Sequence, residues 1–257
     1  MSTIADAIVM ESVSKSFGEV IAVRDVSFNV RQGEIFGLVG QNGAGKTTVL
    51  RMIMDIFRPD AGSIRIFGRP PEETVKEIIG YLPEERGIYV GLKVGKVLEY
   101  FARLKGLPRA RAKANVEKWL HRFGIEDYAC RRIETLSKGN QQKVQLIAAL
   151  VADPKIVILD EPLAGLDPIN TRLLTGVIRN LAEQGTTIIF SSHQMPVVER
   201  LCTRVLMIAR GEVVLYGPLA EIRQSRNNPD GTLEDIYVRL AREGAGEGLV
   251  ERVNGER

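Results

Sequence analysis

Residues Gly40 to Thr47, "GQNGAGKT", satisfy the pattern G-x-x-x-x-G-K-[ST] in full. Glycines at Gly40, Gly43 and Gly45 let backbone N–H groups turn inward around phosphate oxygens, an approach that bulkier residues obstruct. Lys46 adds a charge that can reach outer phosphates, and Thr47 offers a hydroxyl to a magnesium ion. A second stretch, "IVILDEP", runs four apolar residues into Asp160 and Glu161. Asp160 is suited to hold Mg²⁺ through its water shell, and Glu161 to take a proton from water attacking a terminal phosphate. His193, one of two histidines, follows "TTIIFSS" and is placed to hydrogen-bond a transferring phosphoryl group. Taken singly, these are a glycine turn, a strand ending in polar residues and a surface histidine; together they describe phosphoryl chemistry.

A third motif has no evident ligand. In "LSKGNQQ", Leu136 to Gln142, Ser137 is placed as a helix N-cap, Gly139 clears side-chain bulk, and a periodic run follows. Free N–H groups there suit an anion. In isolation Ser137 reads rather as an ordinary cap and Lys138 as a solvent-facing charge.

The elements that must position these residues alternate in type. The front end reads as short strands, "AIVMESV", "VSFNV" and "EIFGLVG", and the phosphate-type loop then opens a helix, "KTTVLRMIMDIF", that runs toward Pro59. "SIRIFG" is a further strand, and "EIIGYLPEERGIY" a strand feeding a long loop. Residues from about 92 to 150 turn helical, with Val97, Phe101 and Leu104 on one stripe and Val116, Trp119, Leu120 and Phe123 on another. After this inserted lobe come the strands "KIVILDEP", "TTIIFSSH", "RVLMI" and "EVVLYG", the first two separated by the helix "TRLLTGVIRNLAEQG". Strand–helix–strand order with strongly apolar strands predicts an α/β fold around a mostly parallel sheet, whose carboxyl edge receives ligands. "TLEDIYVRLAREG" predicts a short helix, and residues 241–257 a loose tail.

Composition narrows the field. Of 257 residues 44% are apolar, so a sizeable core is expected and disorder is not. The 35 basic residues are nearly matched by 32 acidic ones, and a net charge of +3 is too small to imply nucleic acid. Arg109, Arg111 and Lys113 read as a solvated helix face without stacking aromatics. Cys130 and Cys202 show no metal spacing and no disulfide framework, which suggests a reducing compartment. The opening lacks the order of a secretion signal, and no apolar run approaches the roughly 20 residues of a membrane span, so a role at a membrane requires a separate partner chain.

The order of motifs resembles the nucleotide-binding subunit of ATP-binding-cassette transporters over residues 6 to 240. "LSKGNQQ" precedes "IVILDEP" by one helix, and "LAGLDP" follows directly. The resemblance implies a P-loop ATPase of residues 1–240, with an antiparallel N-terminal β subdomain and the helical lobe inserted into its core. It implies ATP and Mg²⁺ as cofactors. Phe17 in "KSFG" matches the aromatic that stacks on adenine, and Gly40 to Thr48, including Asn42 and Ala44, matches the phosphate loop. Ser137, Gly139 and Asn140 match the signature, Asp160 the magnesium aspartate and Glu161 the catalytic glutamate. Asp167, closing "AGLD", matches a loop that crosses between subunits, and His193 the switch histidine. Two copies dock head to tail in this family, each signature facing the other copy's ATP.

Three departures stand out. Lys138, Gly139 and Asn140 replace the usual Gly-Gly-Gln, Glu84 replaces a glutamine that touches Mg²⁺ and the attacking water, and Ala164 replaces a frequent serine. "YLPEERGIY" with "LSKGNQQK" resembles a bacterial branch serving efflux, including sodium extrusion. That implies an ATPase held by an integral membrane permease at the cytoplasmic face of the membrane, with Glu84 to Tyr89 transmitting the contact. Two other readings stay open: a soluble ATPase of the same class acting on nucleic acid or ribosomes, and a non-hydrolysing ATP-gated scaffold.

Overall fold

The computed structural model describes residues 5–71, 77–85, 87, 89, 91–225 and 232–243. Two sheets organise the chain. Strands β1 (Asp6–Phe17), β2 (Val20–Arg31) and β4 (Ala61–Ile66) form an antiparallel sheet in the order β2-β1-β4. The front strands are 12 residues each, longer than the short pieces the sequence suggests. Register shifts between Met10 and Val13 and between Val13 and Lys15 absorb the irregular apolar spacing. Ser12 and Asp25 accordingly adopt positive φ, and pairing continues past them.

The central sheet adds β3 (Ile35–Val39), β5 (Ile79–Leu82), β6 (Ile156–Asp160), β7 (Thr187–Ser192), β8 (Arg204–Ala209) and β9 (Glu212–Pro218), in the order β5-β6-β7-β3-β8-β9. All pairs are parallel except β8 with β9. Every residue of β3, β6 and β7 is buried, as expected for strands covered on both faces. One core cluster gathers the antiparallel sheet and one face of the central sheet around Phe36, Met10 and Leu50. The other joins the opposite face to the helices, with Trp119, Leu98 and Ile147 at its heart.

The helices are α1 (Lys46–Ile53), α2 (Val94–Leu104), α3 (Arg109–Arg122), α4 (Lys138–Leu150), α5 (Pro168–Glu183), α6 (Met195–Leu201), α7 (Leu219–Ser225) and α8 (Leu233–Glu243). Helices α2 to α4 lie in sequence between β5 and β6, as the expected lobe does. Helix α1 stops at Ile53, well before Pro59. Asp55 turns into the left-handed region, and the N–H groups of Ile56 and Phe57 fold back onto the Arg51 carbonyl at 2.9 and 3.4 Å. Thr232 and Asp235 bond reciprocally to open α8, whose Leu233 and Ile236 enter the core.

Candidate active site

The phosphate-type loop leaves β3 where only glycine fits. A Cβ on Gly40 would lie 2.4 Å from the Ile208 carbonyl oxygen, and one on Gly45, at φ +107°, 2.6 Å from that of Ala22. The loop is therefore pressed between β8 and β2, with Ala44 buried and Gln41, Asn42 and Gly43 exposed. Gly45 caps α1 without a side-chain hydrogen bond, so the first N–H groups of that helix keep no side-chain partner there. Thr47 and Thr48 are half-buried in its first turn. Lys46, 5% exposed, folds back into its own loop. Its Nζ donates to the carbonyls of Gly40 at 2.7 Å and Gln41 at 3.1 Å, and lies 3.4 Å from Glu161 Oε1.

Asp160 and Glu161, 1% and 5% exposed, end β6 at the same edge. The Ser191 hydroxyl on β7 donates to Asp160 Oδ1 at 2.6 Å and accepts the Glu161 N–H at 2.9 Å. His193 Nδ1 lies 2.9 Å from Glu161 Oε2. Glu161 adopts φ +48°, an uncommon conformation for a side chain of this size. Asp160 Oδ2 and Glu161 Oε1 are buried without a hydrogen-bond partner. Glu161 Oε1 still faces the Lys46 ammonium, whereas Asp160 Oδ2 left in this state is costly, and a hard cation with its water shell satisfies it. The donors present, the Asp160 carboxylate with the Thr47 hydroxyl next in sequence to Lys46, fit Mg²⁺.

Glu84 is exposed, and it lines one cleft with Pro83, Gln142, Asp160, Glu161 and Asn170. The position that departs from glutamine thus shares a cavity with both acids.

The signature forms a separate group. Ser137 caps α4 by accepting the Asn140 N–H at 3.3 Å, as its sequence predicts. Gln142 Nε2 donates to the Ala164 carbonyl at 3.1 Å, tying α4 to the loop after β6. A Cβ on Gly139 would stand 3.5 Å from the Asn170 amide nitrogen. Asp167 caps α5, accepting from the N–H groups of Ile169 and Asn170 at 2.9 and 3.0 Å and from the Asn170 side chain at 2.5 Å. The hydrogen bonds from Asn170 hold its carboxyl below the ordinary range. Ser137 and Asp167 are exposed. Among the described residues, no hydrogen bond or ion pair joins Ser137, Gly139, Asn140 or Asp167 to the phosphate-type loop. Phe17 closes the β1–β2 hairpin, 44% exposed, edge-on to Phe57 at 5.1 Å.

The structure thus brings Lys46, Asp160, Glu161 and His193 together at one sheet edge, with Glu84 on the adjoining cleft. Sequence reading missed Ser191 and Gln142. The signal for Ser191 was a hydroxyl inside "TIIFSS", a strand buried along its whole length.

The model of the ABC transporter family matches residues 23–164. The chain is 42% identical over 238 residues to the uncharacterized ABC transporter ATP-binding protein YhaQ of Bacillus subtilis, covering 91% of this chain and 80% of that one. It is 39% identical over 214 residues to the Nod factor export ATP-binding protein I of Paraburkholderia xenovorans, covering 82% and 70%. A solved ATP binding subunit of an ABC transporter superposes with a TM-score of 0.85 at 28% identity, covering 91% and 99%. The same α/β architecture, the same order of motifs and identity sustained over most of the length make this chain an ATP-binding subunit of the ABC transporter family.

Proposed function

We propose that the chain hydrolyses ATP to ADP and phosphate as one half of a head-to-tail pair, and that the pair drives a separate integral membrane permease in the direction of export. The observation that carries this reading is the buried acid pair beside Lys46, with one oxygen of each carboxylate lacking a hydrogen-bond partner.

Backbone N–H groups of Gly40 to Thr48 bind the phosphates, and Lys46 leaves its loop carbonyls and Glu161 to reach the outer ones. Phe17 offers its exposed ring to adenine. Thr47, Asp160 and Glu84 would hold Mg²⁺, which when bound supplies neutralisation of phosphate charge. Glu161 accepts the proton of attacking water at its carboxylate. His193, 48% exposed and already bonded to Glu161, holds that carboxylate on one side and is free toward the terminal phosphate on the other.

Ser137, Gly139, Asn140 and Asp167 serve a second copy. They face solvent or stand half-buried and are not bonded to their own phosphate loop, and two-fold rotation would supply them to each nucleotide once. Hydrolysis and phosphate loss then weaken the seal between the copies.

Residues 1–240 constitute the ATPase domain in this reading, with the lobe at about 92–150 inserted; α8 runs on to Glu243, three residues into the tail expected at 241–257, and residues 244–257 lie outside the described residues. No described helix is long and apolar enough to cross a membrane, which suits a peripheral subunit held by its permease at the cytoplasmic face. Permease contact is assigned to the helical lobe, with Glu84 to Tyr89 transmitting it; of these, Arg86 and Ile88 lie outside the described residues. Tyr89, Leu92, Tyr100 and Leu104 extend that segment as an exposed apolar patch, with the Tyr89 and Tyr100 rings 6.2 Å apart. Nucleic acid is not expected as a partner. Arg109, Arg111 and Lys113 spend their charge on Glu99, Asp153 and Glu117 at 3.6, 3.8 and 3.8 Å. The export direction is supported by the relative whose name specifies export.

Sedimentation of Glu161→Gln with Mg-ATP tests the pair. A stable dimer is expected at micromolar protein, and a monomer under those conditions contradicts the reading.

A further inference from the structure

We infer that Ser191 is a positioning residue: its hydroxyl fixes which oxygen of Asp160 is left for the metal and holds Glu161 in its turned conformation. The inference rests on the reading of Asp160 as the magnesium aspartate.

The problem Ser191 addresses arises from strand geometry. Asp160 and Glu161 are consecutive, and consecutive side chains on a strand point to opposite faces. Both carboxylates reach the same sheet edge because Glu161 departs from the strand at φ +48°. That conformation is strained for glutamate and persists only where neighbours over-determine it. Ser191 stands directly opposite Asp160 in the parallel register of β6 and β7. One hydroxyl then bonds to both residues: its proton goes to Asp160 Oδ1 and its lone pair takes the Glu161 N–H. A hydroxyl carries one such donor and further acceptor capacity, so both bonds are compatible at once.

Two consequences follow. Asp160 Oδ1 is committed, which leaves Oδ2 as the oxygen without a partner. The Glu161 backbone is pinned at the point where its chain turns, which directs its carboxylate between Lys46 and His193. Ser191 is fully buried and stands clear of the phosphate-type loop in sequence, so it acts through Asp160 and Glu161. Alanine there would strip Asp160 Oδ1 and the Glu161 N–H of their partner together.

The test is the ratio of ATP dissociation constants measured by calorimetry in EDTA and in Mg²⁺, which reports metal–nucleotide coupling without turnover. Ser191→Ala is expected to lower that ratio tenfold or more, with no loss of affinity in EDTA. In an Asp160→Asn background the same substitution should lower it no further. An unchanged ratio, equal losses in both buffers, or additive losses in the double variant would each overturn the inference. If Ser191→Ala does not fold, Ser191→Cys, with a weaker donor at the same place, is expected to give a smaller loss of the same sign, and no loss overturns the inference. A native chain that gains no affinity from Mg²⁺ would sink the functional reading itself, whereas a native gain retained in the variants sinks only the role of Ser191.

Discussion

Replacing Glu161 with glutamine is expected to tighten nucleotide binding as well as stop hydrolysis. Lys46 Nζ sits 3.4 Å from Glu161 Oε1, and both side chains are about 95% buried. At an effective dielectric of about 20 the Coulombic attraction at that distance is about 5 kcal/mol, an upper figure because both charges left water to meet. A net remainder of about 1.4 kcal/mol after that desolvation converts to about tenfold in affinity. Nucleotide must displace Lys46 from this partner and from the Gly40 and Gln41 carbonyls before it can use the charge. Glutamine removes the one charged partner among the three anchors and keeps the shape. Equilibrium titration with ADP in EDTA isolates this step, because ADP lacks the γ-phosphate that Glu161 would repel. ADP affinity should rise at least tenfold. A gain seen with ATP but absent with ADP would refute the latch and assign the effect to charge repulsion.

Glu84→Gln is expected to keep turnover at or above the native rate in a phosphate-release assay, since it removes a negative charge from the cleft shared with Asp160 and Glu161. A complete loss would show that the carboxylate itself is required. Arg204→Met should destabilise the chain by about 3–5 kcal/mol in urea unfolding, because it leaves a buried charge unpaired. Arg204 joins the two sheets: Nη1 reaches Glu34 Oε1 at 3.2 Å, Nη2 reaches Asn29 Oδ1 at 2.9 Å, and the Tyr216 hydroxyl closes the cluster. Burial pushes the Glu34 carboxyl up even with Arg204 beside it, so its loss would be felt; a change under about 1 kcal/mol would contradict the argument.

The parts of the site legible in the sequence are those where backbone geometry dictates residue type. Gly40 and Gly45 are irreplaceable because carbonyl oxygens of β8 and β2 lie where a Cβ would go, and a pattern of glycines records that directly. The Ser137 cap is likewise local: its bond spans three residues. The hydroxyl of Ser191 stood out in an apolar strand but its role did not, because that role depends on register, which places it across from a residue 31 positions away. The early stop of α1 escaped because Asp55 takes positive φ without a glycine to announce it, and Pro59 drew the boundary outward. The reversal at β9 had a usable sign in Arg210-Gly211. Both residues adopt positive φ, 51° and 80°, as a two-residue hairpin turn demands, and such a turn can join only antiparallel strands.

The two groups of site residues, apart in the chain, are joined by a short segment of backbone. The Ala164 N–H donates to the Glu161 carbonyl at 3.2 Å, and the Ala164 carbonyl accepts from Gln142 Nε2 on α4 at 3.1 Å. Asp167 then caps α5 three residues further on, with Asn170 against Gly139. A displacement of Glu161, such as the departure of Lys46 would allow, acts on a loop bonded at once to the signature helix and to the cap of α5. In a parallel α/β sheet the strands themselves are fixed by burial on both faces, so the loops at their carboxyl ends are the parts left to move. The acid that would abstract a proton and the helix that would face a second copy are therefore joined by a continuous hydrogen-bonded connection, the kind of link that coupling hydrolysis to separation of two copies would use.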